Sequence, residues 1–357
     1  MPADFFRLDP DDGKRYRVPV QYCDGRAVFP CPLEALGRAL FVATGTDMAA
    51  ETFPSAVETA KKIAALPDKA YPVTLDEPNV LVLDRPQCTA GKETIPGATV
   101  LQIDAALRQK LGAMPRESVS VQPWCRKKSR PAQSVEIVLK YIVECRHVPA
   151  EKCFLALEDP KLYRITFNGI PLPASESGFW CDRSIKKIAV APSYFRIGKN
   201  EIILSRRYDA SQPGLEAVFL LGKFGVFSDA LDGEVTALRF GDWTKQGLPY
   251  YGGNLTYHLE LPPGAKKLVF RKWQGTALKI KTAKSASRVL FGDVADVRRA
   301  RRIHVTVLGS RRNALGPFYF DGENSPGRRG APAQFFSTAQ REKSLVPYGL
   351  IEAPETG

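Results

Sequence analysis

This sequence is short of the residues and runs that most chemistry and most membrane spans require. Only three histidines occur, His147, His258 and His304, and they are far apart. A Ser-His-Asp hydrolase also needs a nucleophile elbow, and no Gly-x-Ser-x-Gly is present. His258 and His304 fall in alternating strand patterns, where a packed or solvent-facing imidazole is the default. The seven cysteines, Cys23, Cys31, Cys88, Cys125, Cys145, Cys153 and Cys181, are odd in number and contain no Cys-x-x-Cys. Neither a full disulfide framework nor a zinc site is therefore indicated; they read as small buried hydrophobes in a reducing compartment. No apolar run approaches about 18 residues, so no membrane span is expected. The start, Met-Pro-Ala-Asp-Phe-Phe-Arg, lacks a basic region followed by an apolar run, so no signal peptide is expected. Localisation stays at cytoplasmic or unassigned, and the sequon Asn254-Leu-Thr256 reads as chance. Phosphate-binding glycine motifs are missing as well; Gly252-Gly253 reads as a turn into a strand.

What is present is β-rich. The chain has 357 residues, of which 44% are hydrophobic, with 28 Pro and 28 Gly. At roughly 100–200 residues per domain that suggests two or three domains with ordinary cores and many turns. The formal net charge of +13 admits three readings: nucleic acid, an acidic surface or polysaccharide, or solubility. The basic residues are scattered, apart from Arg298 to Arg302, and no nucleic-acid fold signature accompanies them, so no nucleic-acid partner is expected.

The clearest local signals are turns. Arg164-Ile-Thr-Phe-Asn168-Gly169 ends a strand in Asn-Gly, whose two central positions in a tight hairpin need positive φ. A loop follows with Gly178-Phe-Trp180-Cys-Asp182-Arg183. Next come a Gly198-Lys-Asn200 turn and the strand that leaves it. Asp24-Gly25 is a second hairpin signal. Met48 to Leu66 has helical periodicity, Ile103 to Gly112 reads as a short amphipathic helix, and Glu77-Pro78-Asn79 to Asp84 reads as a buried strand. Val135–Val143, Cys153–Glu158, Leu268–Trp273 and Ile303–Leu308 read as strands. Arg126 to Pro131 reads as a basic linker.

The Asn-Gly, loop and Gly-x-Asn spacing resembles the galactose-binding-like jelly roll found beside the catalytic domain of large glycoside hydrolases. Other motifs in order resemble the C-terminal non-catalytic region of alpha-L-rhamnosidase-like glycoside hydrolases. They are Asp9-Pro10 through Gly13, Pro78-Asn79 through Asp84, Leu215-Glu through Gly225-Val, Trp243 through Tyr257, Leu308-Gly through Gly316-Pro317, and Tyr348-Gly349-Leu350. One departure is Arg38-Ala39-Leu40, where that family has a serine or alanine region. The resemblance implies an all-β fold of tandem jelly-roll β-sandwiches with a small mixed α/β N-terminal segment. The divisions are 1–45, a closing β-segment; 46–131, a mixed connecting segment; 132–230 and 231–350, the two sandwiches; and 351–357, a tail. It also implies that the catalytic barrel belongs upstream of residue 1, so that a catalytic domain and a carbohydrate are the expected partners.

A glycosidase needs two carboxyl groups flanking the bond, and none of the 38 acidic residues sits in a motif tied to catalysis. Glu158-Asp159 reads as a turn, and Asp182 as a turn or an ion pair with Arg183. No catalytic residue, metal ligand or cofactor is assigned. For sugar binding, aromatic faces and polar groups are required; Trp243, Tyr250, Tyr251 and Trp273, with Arg311, Arg312 and Asn313, are the candidates. The same rings can instead plug the core or pack on a neighbouring domain, and Trp180 carries the same two readings.

Overall fold

The computed structural model describes residues 4–8, 14–31, 39–45, 50–52, 64–96, 99–113, 133–173, 175–209, 212–283, 287–290, 293–297, 300–316, 318–319 and 343–357. Its longest ladder follows directly from period-2 patterning. In Ser134–Cys145 the residues Ile137, Leu139, Tyr141 and Val143 are buried while their neighbours are not. This strand pairs antiparallel along its whole length with Gly198–Asp209, in a register that sets Leu139 against Leu204 and Tyr141 against Ile202. A slip by one residue would turn both apolar rows to solvent, which is what fixes the register. Asn168 and Gly169, at φ 49° and 79°, make the expected tight turn from Arg164–Phe167 to Ile170–Leu172.

The first sandwich has one sheet in the order Glu93–Ile95, Gln87–Ala90, Ser134–Cys145, Gly198–Asp209, Arg164–Phe167, Ile170–Leu172. The hairpin Gly225–Phe227/Ala230–Asp232 joins it beside Ser134–Cys145. Opposite lies Phe179–Trp180, Asp182–Val190, Cys153–Glu158, Val218–Gly222, Asn79–Leu83. The inward rows of both sheets form a single apolar cluster, joined by Val100, Ile103 and Leu107 of the helix Val100–Lys110. Thr99 caps that helix in a reciprocal box with Gln102, and Gly112 follows its end at φ 64°.

The second sandwich has a sheet in the order Ala237–Leu238, Tyr71–Leu75, Leu255–Glu260, Arg302–Leu308, Ala277–Thr282, Arg288–Leu290. It faces Val294–Asp296, Lys267–Val269, Glu355–Thr356, Ala64–Ala65 across a second cluster that includes Trp243, Tyr251, Tyr257, Phe270 and Leu278. The fold is thus all-β, as expected.

Several segments differ from the sequence reading. Residues 71–95, read as part of a connecting segment, supply strands to both sandwiches. Glu51–Thr52 and Ala64–Ala65, inside the expected helix from Met48 to Leu66, are strands paired at long range, and residues 53–63 lie outside the described residues. Strand pairing with distant partners overrides the local helical period there. Glu355–Thr356, read as tail, pairs with Lys267–Val269. The basic linker 126–131 lies outside the described residues.

Near the N-terminus a separate sheet runs Leu40–Thr44, Asp4–Leu8, Arg15–Arg17, Glu51–Thr52. The hairpin Gln21–Cys23/Arg26–Val28 turns at Asp24-Gly25, both with positive φ. No helix among the described residues is long and apolar enough to cross a membrane.

Candidate functional site

The two sandwiches meet along strands Asn79–Leu83 and Val218–Gly222, which are buried at every position. A strand buried on both faces needs cover on both. The first core reaches across the junction to Tyr250 and Ala314, with Phe318 and Leu345 packed against it. Most of the residues singled out from sequence fall on this seam.

Trp243 is fully buried at the start of the turn Trp243–Lys245, which Asp242 caps through Thr244 N–H at 2.9 Å. Its ring stacks on Tyr348 at 5.5 Å and meets Tyr251 edge-on at 6.0 Å. Gly349, at φ 120°, passes so close that a Cβ there would lie 2.8 Å from the Gly241 carbonyl oxygen. Tyr251 is also fully buried, its hydroxyl 3.0 Å from Asp76 Oδ1 and 2.8 Å from the Asn254 carbonyl oxygen. Tyr250 is 3% exposed and donates to Asp229 Oδ1 at 2.5 Å. Burial, and then the facing Asp76 and Asp229 carboxylates, raise the pKa values of Tyr251 and Tyr250 well above the usual phenol value, so both stay protonated donors. These three rings have no free face to offer a sugar; they hold the seam and the second core together. Trp180 does the same from the first sandwich, 4.9 Å from Phe219 and beneath the Arg311 guanidinium.

Arg311 clamps Glu77 with both terminal nitrogens, Nη1 reaching Oε2 at 2.7 Å and Nη2 reaching Oε1. Asn313 is buried and spans Val346 on both sides, donating to its carbonyl at 2.8 Å and accepting from its N–H at 2.9 Å. Arg312 lies between them, its backbone N–H on Ser310 Oγ at 3.3 Å. Trp273 stands apart, half-buried in Trp273–Gln274 against Gly349–Leu350, its indole N–H 3.5 Å from Asp293. Asp182 opens the strand Asp182–Val190 and accepts from Ser184 N–H and Oγ at 2.7 Å each, whereas Asp159 opens a 3-10 turn at φ 45°.

Beside this seam opens a cleft of about 610 Å³ that no sequence motif announced. Its walls include Arg85, Phe227, Ser228, Asp229, Thr244, Lys245, Tyr250, Tyr319 and Lys343. The Lys343 side chain is 10% exposed, with Nζ 3.1 Å from Asp84 Oδ1, 3.2 Å from Tyr250 OH and 3.9 Å from Asp229 Oδ2. Asp84 accepts Tyr319 OH on its other oxygen at 2.7 Å, and Arg85 Nε donates to that same hydroxyl at 2.7 Å. A buried ion pair survives loss of water only with such additional hydrogen bonds. Ser228 and Asp229 form the hairpin turn at the rim with φ 52° and 57°. Two non-glycine residues in that region cost on the order of 1–3 kcal/mol each, and such strain tends to mark functional edges. Positive φ is invisible in Ser-Asp, which is why this turn escaped the sequence reading.

A smaller interface cavity of about 160 Å³ is lined by Asp84, Glu158 and Glu216 among apolar residues including Leu101, Phe219 and Phe318. Among the described residues no group of three or more His, Cys, Asp or Glu is placed to hold a metal ion. Burial pushes the Cys88 thiol up to about 11 and Cys153 to about 12, away from thiolate chemistry.

No protein-family model matches the chain, and no curated protein matches it. Solved structures to which it is similar include the pilus backbone RrgB from Streptococcus pneumoniae, at 9% identity and a TM-score of 0.19, covering 62% of this chain and 49% of that one. Another is the full-length major pilin RrgB from Streptococcus pneumoniae, also at 9% identity and a TM-score of 0.19, covering 86% of this chain and 46% of that one. The chain spans about half the length of these structures. At that TM-score the likeness carries no argument about this chain.

Proposed function

We propose that the chain is a carbohydrate-binding or scaffolding accessory region of an alpha-L-rhamnosidase-like glycoside hydrolase, built of galactose-binding-like sandwiches and working beside a separate or upstream catalytic domain. The observation that carries this reading is where the ordered motifs fall. Pro78-Asn79, Trp243 to Tyr251, Arg311 to Asn313 and Tyr348-Gly349 come from four distant parts of the sequence. All converge on one junction, where Asn79 donates to the carbonyls of Phe224 at 2.7 Å and Gly247 at 2.9 Å. The junction braces the two sandwiches and leaves an open polar cleft at its edge, of the size in which small ligands bind.

A glycan array separates sugar binding from scaffolding alone, and the expected result is binding of at least one glycan class. A rival reading, a hydrolase with its own site at the module interface, has one observation in its favour: Glu158 and Glu216 line the same half-apolar cavity. Aryl rhamnosides and galactosides test it. The expected result is no turnover; hydrolysis abolished by Glu158→Gln or Glu216→Gln would replace the accessory reading with the enzymatic one.

A further inference from the structure

We propose that His258 and His304 form a two-imidazole site for a divalent metal ion of the copper and nickel class, on the outward face of the second sandwich. The site shares no residue with the junction cleft and stands independently of the carbohydrate reading.

Strand pairing places the two rings. In Leu255–Glu260 the residues Leu255, Tyr257 and Leu259 turn into the second core, as do Ile303, Val305 and Val307 in Arg302–Leu308. Alternation sends His258 and His304 to the other face, and the register sets them directly opposite each other. Both are half-buried, with their Nδ1 atoms 2.8 Å apart and their ring planes crossing at 87°. Two imidazole nitrogens each about 2.0–2.1 Å from one metal ion, at right angles to each other, lie about 2.8–3.0 Å apart. At the tetrahedral angle that zinc prefers, they lie about 3.3 Å apart. The spacing in the folded chain therefore matches two neighbouring corners of a tetragonal sphere, the geometry of Cu2+ and Ni2+.

Thr74, on Tyr71–Leu75, supplies the support that a ligating imidazole needs behind it. Its Oγ1 lies 2.7 Å from His258 Nε2. In the tautomer that donates Nε2–H to Thr74, His258 Nδ1 keeps its lone pair and faces His304. His304 Nδ1–H fills that lone pair in the metal-free chain. With the ion bound, His304 carries its single proton on Nε2, so two neutral rings take up the metal without releasing a proton. The neighbouring pairs on this face are Thr256 with Thr306, their hydroxyls 2.8 Å apart, and Glu260 with Arg302 at 3.4 Å. Lys281, opposite His304 on the next strand, is exposed and opposes a cation, but its long stem lets the ammonium swing into water. Two protein ligands leave the remaining corners to water, so the bound ion stays open to an added oxygen ligand.

The chain has only three histidines, which makes the test direct. Ni2+ is titrated into the full chain at neutral pH while the imidazole proton resonances are followed, and calorimetry with Ni2+ and Zn2+ gives the affinities. The paramagnetic ion is expected to broaden His258 and His304 together and before His147, with Zn2+ bound more weakly than Ni2+. His304→Gln is expected to abolish this binding. Thr74→Val, which keeps both ligands and the β-branched shape, is expected to weaken Ni2+ by about tenfold, the lower end of the effect of losing such a support. Lys281→Gln is expected to tighten it. Thermal melts confirm that each variant is folded; if His304→Gln is not, the wild-type resonances and Thr74→Val still decide. Broadening of His147 first, or of all three rings alike, overturns the site in favour of adventitious surface binding. Zn2+ bound more tightly than Ni2+ overturns the tetragonal class. Ni2+ affinity unchanged in a folded His304→Gln chain overturns the site, and unchanged affinity in Thr74→Val overturns the supporting role of Thr74.

Discussion

Arg311 and Glu77 lie 234 residues apart and are joined by two parallel N–H···O bonds, the guanidinium fork fitted to the carboxylate. Each side chain keeps about a third of its surface in water, at 32% and 30%. The fork also covers Trp180 of the first sandwich, at 5.5 Å. One side chain therefore links the loop after Arg302–Leu308 to the lead-in of Asn79–Leu83 and to Phe179–Trp180, the far edge of that same sheet.

Removing that fork should loosen the junction without melting either core. Arg311→Ala is expected to lower unfolding stability by roughly 1–2 kcal/mol, since it deletes charge-assisted bonds and leaves Glu77 partly desolvated. Denaturant unfolding followed by tryptophan fluorescence should split into two transitions if the clamp couples the sandwiches. A single transition with unchanged midpoint would show that the fully buried contacts alone couple them.

The buried aromatics should behave as core. Trp243→Ala and Tyr251→Ala are each expected to cost roughly 3–5 kcal/mol, because both rings are fully enclosed and their removal leaves cavities. Trp273→Ala, half-buried at a short two-stranded pairing, is expected to cost far less. Thermal melts of the three variants rank the positions directly. A mild Trp243 variant that still unfolds cooperatively at the native midpoint would contradict the packing role.

The elements legible in the sequence are those whose cause is local. Asn168-Gly169 and Asp24-Gly25 announce their turns because few other pairs accept two positive φ values, and Gly112 announces the end of its helix. Alternation in Ser134–Cys145 is just as direct. The cleft is different. Asp84, Asp229, Tyr250 and Lys343 are brought together across as many as 259 positions, from Asp84 to Lys343, and no spacing rule relates them. Aromatic character alone cannot say whether a ring is enclosed or open, so Trp243 and Tyr251 carried both readings, sugar contact and core packing. Partner choice among distant short strands was equally hidden, which is how Tyr71–Leu75 passed for a connection.

Stability should fall on mild acidification through one cross-strand pair. His258 and His304 sit directly opposite each other, their Nδ1 atoms 2.8 Å apart, with Thr74 Oγ1 2.7 Å from His258 Nε2 and Lys281 opposite His304 on the next strand. Burial first, and then His304, lower the His258 pKa below its ordinary 6.5. The unfolded chain therefore takes up a proton before the folded one does. Above pH 6.5 both states are neutral here and the stability is fully present; it is lost as pH falls from there through the lower folded value. His258→Gln should flatten this part of the stability profile between pH 7.5 and 5. A wild-type slope that the substitution leaves intact would assign the effect to other groups.

The N-terminal sheet should be the least self-sufficient part of the chain. Every strand pairing in it is to another of its own strands: Asp4–Leu8 with Arg15–Arg17 and Leu40–Thr44, and Arg15–Arg17 with Glu51–Thr52. Among the described residues no ladder joins it to either sandwich, so these hydrogen bonds can open without disturbing theirs. Its apolar residues are divided. Phe6 is fully buried, while Leu40 is 60% exposed; in the separate hairpin Gln21–Cys23/Arg26–Val28, Tyr22 and Val28 are about half exposed. Exposed rows of this kind beside free strand edges favour docking on another surface or aggregation. Amide exchange is therefore expected to be fast over residues 4–44 and slow over 137–143 and 202–208, because local opening follows the size of the cooperative unit. Deleting residues 1–52 should move the melting temperature of the sandwiches by less than about 2 °C, the shift expected for well under 1 kcal/mol in a domain of this size, and should raise solubility. Collapse of the sandwiches on deletion, or strong protection of residues 4–44 in a demonstrated monomer, would mean that Phe6 and its neighbours pack into one of the two cores.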